Sequence, residues 1–257
     1  MPKKKSKKNI FLIIGVVIAI CIAAIAYLVV IDLKQEDLLK KEIVNISNKD
    51  LLTDNYDIEV KTTGDYAYVE EAVKKFYKEL SDSVKTMNFY LNDEELTNIL
   101  SAENLASDGP HFQKSYQILE ETRKNSTEAI EKIANLCDEE TIKNLIDKDK
   151  VDSYYYELYQ KLMYTKDDLK EFAETKQEMQ TLSENLNIFL DKVKEMLNML
   201  ENNSNSWIIE NGQLYFDTDE LVAEYNALYN ELNQIATEKF SNYNTQTTNN
   251  TNQENNI

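Results

Sequence analysis

Catalysis needs a positioned acid, base or nucleophile, and this chain offers few. It has one histidine, His111, beside Gly109-Pro110. A Ser-His-Asp or Cys-His arrangement would have to use that residue. A zinc site built from His and Cys would need His111 and Cys137 together. They stand 26 residues apart on what reads as one helix, a span of ~39 Å at helical rise, which keeps them from sharing a metal. Paired carboxylates are common, as in Glu70-Glu71, Glu94-Glu95, Glu139-Glu140 and Asp167-Asp168. Glycoside hydrolysis uses two acids across a cleft, but neighbouring acids on amphipathic helices are usually solvated. Asp147-Lys148-Asp149-Lys150-Val151-Asp152 spaces its acids like a calcium loop. However, Asp152 holds the place of the loop glycine and Leu158 that of the closing glutamate. Four glycines leave no phosphate-cradling loop. The expectation is a protein that is not an enzyme, with no catalytic, cofactor or metal residues.

Aromatic residues are more suggestive. Tyr154, Tyr155, Tyr156, Tyr159 and Tyr164 fall within eleven residues, and Trp207 is the only tryptophan. Tyrosine rings stack on sugars and their hydroxyls bond glycan or peptide, so these six residues are the candidate partner contact. The plainer alternative places Tyr155, Leu158 and Leu162 in a core. Trp207, Ile209, Leu214 and Phe216 have the same two options: cover for one end of a bundle, or a strand edge open to a partner.

The elements that would position these residues follow from hydrophobic period. Tyr66, Val69, Val73, Phe76, Leu80, Val84, Met87 and Leu91 step by three and four, a helix from Asp65. Asp93–Leu100 reads as a short helix capped by Asn92, with Glu95 in the capping-box position. Ser101–Gly109 reads as a loop, and Pro110 as the first turn of the next helix. That helix carries Phe112, Tyr116, Leu119, Ile130 and Ile133 on one face, weakened by Arg123 and Ser126. Asp138–Asp147 reads as a further short helix. Over 167–200, Phe172, Met179, Leu186, Val193 and Leu200 alternate with Leu182, Phe189 and Met196 in a coiled-coil-like seam, which Leu190 and Leu197 widen towards a bundle. Asn211-Gly212 between two apolar runs predicts a β-hairpin over 207–216. Asp217 or Thr218 would cap a last helix on Leu221, Tyr225, Leu228, Leu232 and Ile235. Asn, Thr and Gln then predict a disordered tail over 241–257. In 57–61, Ile58 and Val60 alternate with polar residues, as in a short strand or an extended linker.

The N-terminus sets the location. Lys3, Lys4, Lys5, Lys7 and Lys8 precede an uncharged apolar run of 22 residues, Ile10 to Ile31. At ~1.5 Å per residue this crosses the ~30 Å hydrocarbon core, and the basic flank stays cytoplasmic. Ala24-Ile25-Ala26 has the form of a signal-peptidase site, but Tyr27 to Ile31 after it are apolar. Cys21 lacks the small preceding residue of a lipoprotein signal, having Ile20 instead. The favoured reading is an uncleaved single-pass anchor.

All 46 acidic residues and 23 of the 28 basic ones lie beyond residue 31, a net of −23 outside the anchor. Such a surface repels phosphate backbones, so nucleic acid is not an expected partner. Cys21 and Cys137 fall on opposite sides of a membrane boundary and form no disulfide framework. Abundant Asn, Lys, Ile and Tyr suit an AT-rich genome and a bacterial cell envelope. The expected fold is mainly α. A cytoplasmic stub (1–9), a transmembrane helix (10–31) and a juxtamembrane helix with linker (32–64) precede an extracytoplasmic helical bundle (65–240), with a hairpin at 207–216. The expected function is binding, scaffolding or spacing at the plasma membrane. Its partners would be the membrane and an envelope or extracellular protein, with cell-wall glycan as the alternative.

Overall fold

A computed structural model describes the backbone of residues 30–164 and 166–250, and the side chains of these residues except Lys166 and 241–250. The basic stub and nearly all of the apolar run lie outside the described residues, as do the Ala26 site and the last seven residues. Among the described residues no helix is long and apolar enough to cross a membrane.

The chain is mainly helical, with one small antiparallel sheet. Helix α1 covers 30–47. Then come α2 (Asp65–Leu91), α3 (Glu94–Thr97), α4 (Ala102–Asp108), α5 (Gln113–Leu136), α6 (Glu139–Asn144), α7 (Ser153–Met163) and α8 (Lys166–Asn202). Strands β1 (Trp207–Glu210) and β2 (Gln213–Phe216) precede α9 (Asp219–Asn250). The chain divides into two compact units. One contains the residues up to Asp50 with Asp54–Lys78 and Lys143–Thr165. The other contains Leu51–Thr53, Glu79–Ile142 and everything from Lys166. The division runs through α2 and does not follow chain order.

In the first unit the buried apolar side chains of the helices include Leu39, Ile43 and Ile46 of α1, Tyr66, Val69, Val73 and Phe76 of α2, and Tyr159 and Met163 of α7. Steps of three and four on each helix account for them. Residues 57–61 form no strand. Lys61 and the next residue, Thr62, give their amide protons to the Glu70 carboxylate instead of to a β-ladder.

In the second unit α8 supplies Leu182, Leu186, Leu190, Val193, Met196, Leu197 and Leu200 to a core shared with Leu119 and Ile130 of α5 and Leu232 of α9. The heptad seam is therefore a bundle core in its second half. Its earlier members Phe172 and Met179 are only half-buried. The weak middle of α5 has a polar solution at one position: Arg123 reaches across to Asn187 (2.8 Å) and Asp191 (2.5 Å) on α8. Ser126 is fully buried with no hydrogen-bond partner among the described residues.

Several expectations are corrected. The juxtamembrane helix expected at the start of 32–64 stops at 47, where Asn48 and Lys49 turn the chain. Asp93, not Asn92, caps α3, accepting from the Glu95 amide at 2.7 Å. The segment 101–109 is not a loop. Ser101 caps α4 by accepting the Asn104 amide, the N-cap to N3 bond that serines favour. Pro110 and His111 lie in the turn before α5, and the Gly109-Pro110 peptide is cis. Phe112 sits in the left-handed region (φ 47°), fully buried, so the helix begins only at Gln113. Its orphan N-terminal amides are met from outside the helix. Asp108 accepts from the Lys114 amide (3.1 Å) and from the Ser115 amide and hydroxyl (both 2.7 Å). The expected tail over 241–257 is helical as far as Asn250. Each residue added to an existing helix gains one hydrogen bond without a new nucleation cost, so α9 propagates into weak helix formers.

The hairpin has the expected bounds. Asn211 (φ 51°) and Gly212 (φ 73°) both take positive φ, as a two-residue hairpin turn requires. Trp207 pairs with Phe216, Ile208 with Tyr215, Ile209 with Leu214 and Glu210 with Gln213.

Candidate functional site

The tyrosine segment folds as α7 of the first unit and faces several ways. Tyr159 is fully buried, so it leaves the set of residues that a partner can touch on the folded chain. Burial raises its hydroxyl pKa, keeping it neutral. Leu158 and Leu162 are only half-buried; the core positions are Tyr159 and Met163, one residue further round the helix. Tyr156 and Tyr164 are half-buried. Tyr155 meets Tyr154 edge-on (5.1 Å between centroids) and Tyr66 edge-on (4.8 Å). Tyr154 alone of the five is exposed, with its hydroxyl 3.4 Å from Glu36 of α1. Tyr66 and Tyr155 line an open cleft of about 450 Å³ with Gln35, Thr63 and Asp65. Among the described residues the buried Tyr66 hydroxyl has no hydrogen bond of normal geometry. Burial first, and the nearby Asp32 second, push its pKa far up.

Trp207 belongs to the second unit and is a structural plug. Its indole Nε1 donates to the Leu200 carbonyl (2.7 Å), and its ring stacks on Phe112 (6.0 Å, 15°). Gly109 makes room for it. A Cβ there would stand 2.8 Å from the Trp207 ring and would also run into the Leu105 carbonyl oxygen. Ile209, Leu214 and Phe216 lie on the same hairpin face and pack on the same core.

Several groups with the type for catalysis have structural occupations. His111 is exposed, with Nδ1 3.3 Å from Glu201. Glu201 also accepts from the Tyr116 hydroxyl, whose pKa rises through burial and then that carboxylate. Cys137 is buried, and burial pushes its thiol up, away from reactivity. Asp147 accepts the Asp149 amide and pairs with Lys150, so it closes a local turn. Among the described residues no group of three or more His, Cys, Asp or Glu side chains is placed to hold a metal ion.

One charged cluster is closed to solvent. In the first unit, Lys74 (3% exposed) bridges Glu70 (0%, 2.7 Å) and Glu42 (2.9 Å) and donates to the Glu59 carbonyl (2.6 Å). Glu70 further accepts from the Lys61 and Thr62 amides and from the Thr62 hydroxyl (2.7 Å). Burial alone would raise the Glu70 and Glu42 pKa values. The opposing hydrogen bonds, from Lys74 and Thr62 to Glu70 and from Lys61 and Lys74 to Glu42, outweigh it and hold both below the ordinary range. With every group paired, the cluster fastens the 59–62 segment to α1 and α2 and offers no free site.

An exposed apolar surface emerges where sequence pointed elsewhere. The hairpin alternates strictly: Trp207, Ile209, Leu214 and Phe216 point inward, and Ile208, Glu210, Gln213 and Tyr215 outward. Ile208 (58% exposed) and Tyr215 (44%) are a direct cross-strand pair on this outer face. The Tyr215 hydroxyl donates to Gln213 (2.9 Å). Ile208 and Tyr215 are two large apolar residues at the polar phase of a half-buried hairpin. No protein-family model matches the chain, and neither a curated protein nor a solved structure is found to be similar to it.

Proposed function

We propose that this protein is a membrane-anchored, extracytoplasmic helical protein with a non-enzymatic binding or scaffold role at the bacterial cell envelope. The observation that carries the reading is the lysine-flanked run of 22 uncharged apolar residues, Ile10 to Ile31. Its length suits one membrane crossing, and its flank fixes the direction. Further observations support it. The buried acid Glu70 is paired with Lys74, Asp147 closes a local turn, and the strongly acidic chain beyond residue 31 carries an apolar outward pair. The test uses Glu178→Cys, on the exposed face of α8, since native Cys137 is buried. A membrane-impermeant maleimide should label intact cells at this cysteine. Labelling only after lysis contradicts the proposed orientation.

A second reading has one observation in its favour. Tyr155 lines a cleft, with Tyr154 edge-on against it, whose walls combine tyrosine rings with the polar side chains of Gln35, Thr63 and Asp65, the chemistry of a glycan contact. A cell-wall glycan site there predicts that Tyr154→Ala lowers retention on purified wall polymer. Retention equal to that of the native chain removes this reading.

A further inference from the structure

We propose that the outer face of the β1–β2 hairpin, with the start of α9, docks a cationic segment of a protein partner that carries an apolar residue between its Lys or Arg side chains. This deepens the binding role above and rests on it for the partner's location. The argument begins with the Ile208–Tyr215 pair. The hairpin is already held by its inner face, by the Asn211-Gly212 turn and by the Asp217 amide, which donates to Ser206 (3.0 Å). Ile208 and Tyr215 therefore stay in water without serving the core, and an aromatic beside a β-branched residue is a typical interface anchor.

Charge selects the occupant. Between Lys194 and Lys239 the chain has no Lys, Arg or His, and this stretch contains the whole hairpin and most of α9. Glu210, Asp217, Asp219, Glu220 and Glu224 are all exposed there. The first-turn acids of α9 also suit its helix dipole, but Glu210 and Asp217 lie outside that helix. An apolar pair on a stretch of chain whose charges are all acidic repels anionic lipid, nucleic acid and acidic wall polymers. It equally repels the same face of a second copy. A cationic protein segment remains, with its aliphatic residue on Ile208 and Tyr215 and its charges on the acids. Rim charges of this kind mainly set association rate and salt dependence, whereas the apolar centre sets residence.

The test uses the full chain in zwitterionic nanodiscs and a fluorescent 14-residue peptide of alternating Lys and Leu, with empty nanodiscs as blank. Far-UV circular dichroism and Trp207 emission confirm that each variant is folded. The native chain should bind the peptide, less tightly as salt rises. Ile208→Ser/Tyr215→Ser should weaken binding by about tenfold or more. Asp217→Asn/Glu220→Gln should weaken it and flatten the salt dependence. Glu94→Gln/Glu103→Gln, the same charge change on α3 and α4, should leave it within about twofold. A Lys/Ser peptide of equal charge should bind clearly less well than Lys/Leu. Several results would overturn the proposal: no binding, equal binding by all variants, or equal binding of the Lys/Ser peptide. The last two would show adsorption to a polyanion. Displacement by a Met1–Asn9 peptide as effective as by Lys/Leu would assign the face to the chain's own basic stub and would also overturn it. These measurements use purified protein, so a cytoplasmic location found by the cysteine labelling would refute the topology without touching the docking result.

Discussion

Replacing Lys74 by methionine isolates the energetics of the buried cluster. The side chain keeps an unbranched stem, one heavy atom shorter, and loses its charge, so packing changes little. Three bonds disappear, to Glu70, Glu42 and the Glu59 carbonyl. Removing one partner of a buried ion pair costs about 3–5 kcal/mol, because the remaining charge has neither water nor a counterion. Here Glu70 keeps the Lys61 and Thr62 amides and the Thr62 hydroxyl, and Glu42 keeps Lys61. The cost should therefore fall at the low end, about 3 kcal/mol. At ~1.4 kcal/mol per tenfold, amides that exchange through opening of this region should exchange about 100-fold faster. Hydrogen exchange over peptides spanning 57–74 is the assay. Glu70→Gln/Lys74→Met removes both charges while leaving an oxygen for the Thr62 donors. It should be less destabilised than Lys74→Met alone, which additive effects would not give. A Lys74→Met chain that exchanges within about threefold of native, or a double variant worse than the single, would refute the reasoning.

The same cluster predicts a response to acid. Glu70 and Glu42 titrate below their ordinary 4.5 when folded. Their contribution to stability is thus complete above that value and lost as pH falls through the folded pKa values. Protection of the 57–74 amides should hold from pH 7 to about 5 and decline below 4.5, and Glu70→Gln should reduce that decline. Gly109→Ala should cost about 1–3 kcal/mol in urea denaturation, because the added methyl meets the Leu105 carbonyl and the Trp207 ring. A shift in Trp207 emission should accompany that loss, whereas native stability would contradict the close approach. Cys137 should react slowly with iodoacetamide in the native chain and quickly in urea. Equal rates would contradict its burial.

Elements with strong local signals were legible in sequence, and those fixed by distant partners were not. Leu186, Val193 and Leu200 repeat through enough turns to fix both helix and buried face. Asn211-Gly212 allows one kind of turn. By contrast α7 is 11 residues long, too short to fix its phase, and Tyr159 rather than Leu158 entered the core. Helix α4 has one buried residue, Leu105, so it shows no period; only Ser101 announced it. The cap that Asp108 provides to α5 crosses a turn and has no signature in spacing. Glu70 and Lys74 read as an ordinary exposed i,i+4 pair. Their burial follows from Thr62 and Glu42 arriving from other segments. The outward Ile208 and Tyr215 were visible as residues. Which strand face was outward became clear only once Trp207 was placed on Phe112.

The central claim is that the acidic helical chain stays tethered outside the cell by residues 10–31. Membranes from intact cells treated with external protease give the most direct measurement, read by mass spectrometry of the chain before and after treatment. The account predicts an untreated membrane-bound chain that retains Ile10–Ile31, and a treated sample in which the sequence beyond Asp32 is lost while the apolar run stays with the membrane. A chain beginning at Tyr27 and released into the medium, or one whose C-terminal helices survive the protease until lysis, would contradict it.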